Sequence, residues 1–461
     1  MSGLATRTES PDVPQLPHPP RRLPILGDLF SLNVNKPTQS LTRMAAGLGP
    51  LFEFTALGSR YVIAQGADVV RELNDDTRFG KHVGAEMEAL RLIVGDGLFT
   101  AYNDEPNWHA AHELLMPAFT QSAMHRYHDT MLEVTGEFIA RWDIAAGCRT
   151  VDVSADTTRA TLETIARCAA GYSFGMFDRD AVHPFVGHMV SGLKHCDLLG
   201  AARASALPKF VEYLAERQVR RHGRYLTEAA DEIIAGRRAL GSGAPDDLLA
   251  LMLGSDLDPV NIRYQLITFL VAGHETTSGA LSFALYFLAR NPQIYERARA
   301  EVDAVWGADE RPSFDQVAKL RYIRRVLDES LRLQPTVPGY YREAREDTTL
   351  ACGYPMRKGD WALALTHSLH RDPAWGPDPD RFDPDRFESA RVRERPAGLY
   401  KPFGTGERSC IGRQFALHEA IMLLGAIIRR YDLIGDPAYR LAITERLTLM
   451  PKGFRLGLRR R

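Results

Sequence analysis

No proline interrupts the stretch from Pro259 to Asn291, and its apolar residues recur on nearly every side of a helical projection. At 1.5 Å per residue such a helix is about 45–50 Å long, enough to cross a whole domain. Being apolar all round, it has to be covered on every side by other elements. Asp258 and Pro259 supply its cap and first position, and Asn291-Pro292 its stop. In its middle lies AGHETT, Ala272 to Thr277. The Thr276 hydroxyl is placed to bond the Ala272 carbonyl four residues back and to open the helix locally. Gly273 makes that opening easier and leaves room for a ligand over its backbone. Glu275 adjoins the threonine, whereas His274 is out of phase with Ala272 and Thr276. Taken alone, the motif could equally be a polar interruption that serves interhelical packing.

The surrounding pattern is mostly helical. Spacings of three and four mark helices over Thr38–Ala46, Asn107–Ala123, Ala123–Ala145, Thr157–Ala170, His183–Leu198, Pro208–Ala239, Asp246–Leu253, Gln293–Trp306, Phe314–Ala318, Leu320–Leu333 and from Cys410 to about Tyr431. Leu51–Gly66 reads as a β-hairpin, and 75–107 as a long functional loop. Short strands are expected at Thr348–Cys352 and Trp361–Thr366. A strand pair, Leu447–Met450 with Phe454–Leu458, is expected to turn at Pro451-Lys452-Gly453. The fold class is therefore mainly α with a small β-rich lobe. Residues 1–20 form a proline-rich flexible tail, and 21–461 a single domain without linker or repeat.

A net charge of −1 argues against nucleic acid as the main partner. Five scattered cysteines point to a reducing compartment. No signal peptide or membrane span is evident, so a cytoplasmic protein is expected.

One cysteine stands apart. Phe403, Gly406, Arg408, Cys410 and Gly412 fall at the spacing FxxGxRxCxG, immediately before a helix. A lone cysteine is more often a packed core residue. Here the glycines allow close approach of a bulky planar group and the helix start directs its positive end at the sulfur, both favouring a thiolate. Such a thiolate is suited to be an axial ligand of haem iron. Glu329 and Arg332 form an ExxR pair, and Arg386 follows in PDRF. Alone, ExxR is usually a solvated ion pair. With Arg386 it can become a buried, fully bonded triad.

The cysteine stretch resembles the haem-binding loop of the cytochrome P450 family, and the resemblance extends along nearly the whole chain through GDGLFT at Gly95–Thr100, Asn261–Leu288, Lys401–Ala420 and Leu447–Phe454. It is particularly similar to the fatty-acid hydroxylase subfamily often fused to a diflavin reductase. The resemblance implies haem b held by Cys410, O2 and NAD(P)H-derived electrons, and a proton relay through Thr276 and Glu275. It implies that Trp108, His112 and Arg408 neutralise the haem propionates, with Arg342 a further propionate arginine. Glu329, Arg332 and Arg386 become a structural triad beneath the haem. Phe99, Leu193, Ala272, Val337 and Leu447 should line the pocket.

A carboxylate anchor is expected near Arg60 and Tyr61, although the hairpin is shorter than in the subfamily. Either Arg60 or Lys194 takes over the anion contact, or the substrate is not a free fatty acid. The expected reaction is monooxygenation of a hydrophobic substrate, preferably subterminal hydroxylation of a medium- or long-chain fatty acid or related lipid. Tailoring of another hydrophobic metabolite, a peroxygenase and a non-catalytic haem carrier are the alternatives. No flavin or nicotinamide sequence follows Arg461, so a ferredoxin, flavodoxin or diflavin reductase is expected to bring electrons, steered by Lys401, Arg408, Arg413, Arg429 and Arg430.

Overall fold

The long helix spans Pro259–Arg290, and the Asp258 carboxylate accepts from the Val260 and Asn261 amides at its start. In the computed structural model, which describes residues 14–461 apart from 206 and 244, this helix runs unbroken through AGHETT. It packs along Val153–Ala170 through a seam of small and hydroxyl-bearing residues. Thr161 Oγ1 donates to the His274 carbonyl at 2.9 Å, and Thr157 Oγ1 lies 3.0 Å from Ser282 Oγ. A Cβ on Gly273 would fall 2.8 Å from Ile165 Cγ1. Gly273 therefore serves the approach of two helices, in place of the ligand clearance expected of it. His274 is fully buried and bonded to the Leu270 carbonyl, on the packing side of the helix.

Most helices lie within a few residues of their expected bounds, including Met124–Ala145, Lys209–Ala239 and Arg413–Arg430. The 75–107 stretch differs. It holds the strand Phe79–Lys81 and a helix, Ala85–Val94, with Glu86 and Glu88 in its first turn and Arg91 in its last. Confined between Gly84 and Gly95, this helix is too short for its apolar spacing to stand out from the turn residues around it.

A five-stranded sheet has the order Leu51–Ala56, Ser59–Ala64, Trp361–Ala364, Tyr340–Ala344, Phe79–Lys81. The hairpin at its edge turns through Leu57 and Gly58, both at positive φ, as a two-residue primed turn requires. The expected pairing of Leu447–Met450 with Phe454–Leu458 is not formed. Leu449–Pro451 pairs with Ile443–Glu445, while Arg455–Arg460 pairs with Tyr431–Gly435 and Val151–Asp152. Alternation identifies strands but not partners, and here the turn at 451–453 links two sheets. Residues 1–13 of the expected tail lie outside the described residues. Leu16 is buried, and the Pro17 carbonyl accepts from Glu53 N–H. Among the described residues no helix is long and apolar enough to cross a membrane.

Glu329 and Arg332 are both fully buried on the helix Arg321–Leu333. Arg332 Nε and Nη2 donate to the two Glu329 oxygens at 2.6 and 2.7 Å. Its remaining bonds reach the carbonyls of His370, Pro379 and Arg381, and Glu329 also accepts from Asp383 N–H. Arg386 Nε stands 3.7 Å from Glu329, and its other nitrogens bond the carbonyls of Trp375, Pro377 and Asp378. The pair thus stitches one helix to the 370–386 segment. His370 Nε2 accepts from Lys401 N–H at 2.9 Å, so its Nδ1 carries the proton and donates to the Arg332 carbonyl.

Removing one partner of this buried pair leaves an uncompensated charge, so Glu329→Ala is expected to lose about 3–5 kcal/mol in urea unfolding, against about 1 kcal/mol or less for Asp385→Ala, whose carboxylate pairs with the exposed Arg297 at 2.8 Å. Burial, then Arg332, pushes His370 down to about 3 from the usual 6.5. The unfolded chain therefore binds a proton that the folded one refuses. Stability is expected to fall by about 1.4 kcal/mol per pH unit from this group between the two values as pH drops, with no contribution above them, and His370→Gln should remove that slope.

Candidate active site

The cysteine loop is built by its own backbone. Cys410 N–H donates to the Phe403 carbonyl at 2.9 Å, and Gly404 and Gly406 sit at φ +68° and +69°. A Cβ on Gly406 would fall 1.9 Å from an Asp76 carboxylate oxygen. Gly406 therefore makes room for Asp76 and a left-handed turn, not for a planar ligand. Asp76 is held in turn by Arg342 at 2.7 Å, and Arg342 also donates to the carbonyls of Leu73 and Phe79. Arg342, expected on a propionate, is committed to fastening the loop's neighbour Asp76 to the sheet.

The Cys410 side chain is accessible, yet burial within the protein mass pushes its thiol up, opposed by the Gly412 amide and Arg413. An accessible but desolvated sulfur borders an interior space. The thiolate expected from the loop alone is not favoured by the polypeptide on balance; a bound metal ion deprotonates a coordinating thiol outright.

Beside the loop, buried cations gather. The Arg408 guanidinium lies 3.7 Å above the Trp108 ring and donates to the Tyr102 carbonyl at 2.7 Å. Trp108 stacks on His112 with centroids 4.8 Å apart, as one helical face of Pro106–Leu115 dictates. Burial lowers Arg408 to about 10. Lys81, which the sequence pattern did not single out, donates to the Phe99 carbonyl and is pushed down to about 7, by burial first and Arg408 second. Among the described residues neither Lys81 nor Arg408 has an ion-pair partner, whereas nearby Arg91 is paired with Glu105. Desolvated cations at this density demand anions. Two propionates next to a sulfur ligand meet that demand, so the residues fit haem b.

On the long helix, Thr276 Oγ1 donates to the Ala272 carbonyl at 2.9 Å, the bond that the spacing predicts. Ala272 is exposed in the middle of an otherwise buried helix, so it too borders an interior space. The Glu275 carboxylate is 4% exposed and meets Arg446 Nη1 at 3.0 Å. Arg446 lies in the turn before Leu449–Pro451, far away in sequence, and no local pattern announced it.

The pocket residues separate into groups. Phe99 is exposed, and Val337, Leu447 and Tyr61 are half-buried. Leu193 is 2% exposed within the helical core. Arg60 donates to Glu53 at 2.8 Å and to the Tyr354 hydroxyl at 3.0 Å. Adjacent strand residues point to opposite faces, so Arg60 and Tyr61 do not form one anchor. Lys194 is exposed. The expected basic patch is also smaller than its sequence count. Arg408 points inward, Arg430 is paired with Asp143 and Arg429 bonds the Asp309 carbonyl, leaving Lys401 and Arg413 beside the loop.

The chain matches the cytochrome P450 family over residues 17–457. It is 41% identical over 444 residues to bifunctional cytochrome P450/NADPH–P450 reductase 2 of Bacillus subtilis (strain 168), covering 95% of this chain and 42% of that protein. A Bacillus cereus bifunctional cytochrome P450/NADPH–P450 reductase is 40% identical over 442 residues, 94% of this chain and 41% of the relative. A self-sufficient cytochrome P450 monooxygenase of Phanerodontia chrysosporium is 37% identical over 449 residues, 95% and 42% of the two chains. The chain thus spans about two-fifths of the length of these relatives. A family match over almost every described residue, a fold of helices around one long central helix with small sheets, and a thiol set beside unpaired cations lead to one assignment: the chain belongs to the cytochrome P450 family of haem-thiolate monooxygenases, which use haem b, O2 and NAD(P)H-derived electrons.

Proposed function

We propose that this enzyme inserts one oxygen atom into a C–H bond of a medium- or long-chain lipid, near but not at the end of the chain, using electrons from a separate donor. The observation that carries the reading is the Thr276–Ala272 bond beside the Glu275–Arg446 pair, on the stretch of the central helix where Ala272 is accessible. Haem b, when bound, supplies the oxygen activation and the oxidising power. Cys410 Sγ is its ligand, and Arg408, Lys81, Trp108 and His112 are placed to hold its propionates. Gly404 and Gly406 shape the loop around that sulfur.

The Thr276 hydroxyl, accepting at one lone pair and donating to Ala272, is placed to pass a proton inward. Arg446 orients the Glu275 carboxylate that feeds it. Ala272, Val337, Leu447 and Phe99 present apolar surface that receives the chain and excludes water. Lys401 and Arg413 are the cations offered to an acidic electron donor.

Thr276→Ala is expected to keep its fold and haem content but to lower product formed per NAD(P)H consumed, on the order of 10²-fold, with reduced oxygen released instead. Unchanged coupling in this variant overturns the relay. Titrating the ferric holoenzyme with lipids of increasing chain length should displace water from the haem, each added methylene strengthening binding by about 0.8 kcal/mol until the pocket is filled. Absence of a response to every lipid rejects the substrate class.

A further inference from the structure

Near the Glu275–Arg446 pair stand two further carboxylates, Glu86 and Asp197. Glu86 stands in the first turn of Ala85–Val94. A Cβ on Gly84 would lie 3.0 and 3.2 Å from the two Glu86 carboxylate oxygens and 2.7 Å from Tyr341 Cε2, so the carboxylate rests against that ring. Burial, then this carboxylate, holds the Tyr341 phenol well above its usual range. Asp197 comes from the helix Pro184–Ala204, which approaches Glu86 so closely that a Cβ on Gly200, one turn on, would fall 2.6 Å from Glu86 N. Asp197 is half-buried and feels Glu86, then Glu275, with Arg446 opposing them. Tyr61 also feels Glu86, and the rings of Tyr61 and Tyr341 both pack edge-on against Trp361 with centroids 5.5 and 5.3 Å away. Five separate stretches of chain thus converge on one space that adjoins the proton relay.

Among the described residues neither Glu86 nor Asp197 has a cationic partner. The candidate cations are engaged or absent from this space. Arg60 is turned to Glu53, Arg446 is held by Glu275 and Lys194 is exposed. Asp197 is desolvated beside Glu86, so the two carboxylates repel each other and any third carboxylate. Burial and these neighbours push the Asp197 carboxyl up to about 7. What relieves such a site is a positive charge, and tyrosine faces favour one further.

Resting on the lipid-hydroxylase reading above, we infer that Glu86 and Asp197 are specificity-determining residues that select a substrate with a cationic head, a quaternary or protonated amine on an aliphatic chain. The carboxylates flank the head, the rings of Tyr61 and Tyr341 offer it their faces, and the chain runs toward Ala272. A free fatty acid finds, among the described residues, no unpaired cation here to receive its carboxylate.

The test uses the ferric holoenzyme and two probes of equal chain length below their micelle-forming concentrations, dodecyltrimethylammonium and dodecanoate. The quaternary head cannot ligate iron. Calorimetric Kd and the haem spin-state shift are read in parallel. At about pH 8 the ammonium is expected to bind at least about tenfold more tightly. That advantage shrinks as pH falls through the range where Asp197 takes up a proton, with Glu86, Glu275, Arg446 and Tyr341 as the groups facing it. Glu86→Gln and Asp197→Asn should each weaken the ammonium about tenfold without weakening dodecanoate, and Glu86→Lys should reverse the preference.

Equal or tighter binding of dodecanoate by the wild-type enzyme overturns the inference and leaves the lipid reading standing. Rejection of both probes overturns both. Unchanged ammonium affinity in the folded double variant E86Q/D197N also overturns it, and the wild-type comparison decides the matter if that variant does not fold.

Discussion

The Glu329–Arg332 pair is the interaction on which the rest of the structure hangs. Two opposite charges out of water hold together only where every remaining donor and acceptor is met. Here the backbone carbonyls of His370, Pro379 and Arg381 and the amide of Asp383 meet them. From Arg332 the chain of bonds continues through His370 to the amide of Lys401, the residue that opens the cysteine loop. On its other side the loop is pinned by Asp76, itself held by Arg342. The position of Cys410 is therefore set from two directions by groups that do not touch it.

Much of this architecture was legible because its signals are local. A long apolar run with a capping aspartate and a proline stop specifies the central helix, and the hydroxyl four residues after Ala272 finds that carbonyl because helical geometry leaves it little choice. The spacing of Trp108 and His112 likewise gives a stacked pair. What stayed hidden depends on residues brought together only by the fold. Lys81, Asp76, Arg446, Glu86 and Asp197 lie in unremarkable contexts, and each acquires meaning from a partner at least tens of residues away. Gly273 and Gly406 show the same limit from another side. Their need for space is real, but the neighbours occupying that space are Ile165 and Asp76.

Charge is distributed unequally across the site. Among the described residues Arg408 and Lys81, near the thiol, are cations without an ion-pair partner, whereas Glu86 and Asp197, near the Glu275–Arg446 pair, are carboxylates without one. The Glu275–Arg446 ion pair belongs to the latter side and carries no net charge. A group binding on the first side has to be anionic, and a group on the second neutral or cationic. Opposite requirements in one interior separate cofactor from substrate by sign as well as by shape.

The seam between Val153–Ala170 and the central helix carries a further consequence. Thr157, Thr161 and Ile165 recur every four residues against Gly273, His274, Ser278 and Ser282, with hydroxyls bonded across the gap. Such zippered backbones slide or separate only by breaking several bonds together. The wall bearing Thr276 is accordingly a fixed datum, and adaptation to ligands of different girth falls to the opposite side, where Pro184–Ala204 lies against Lys209–Ala239 and its outer turns end in solvent.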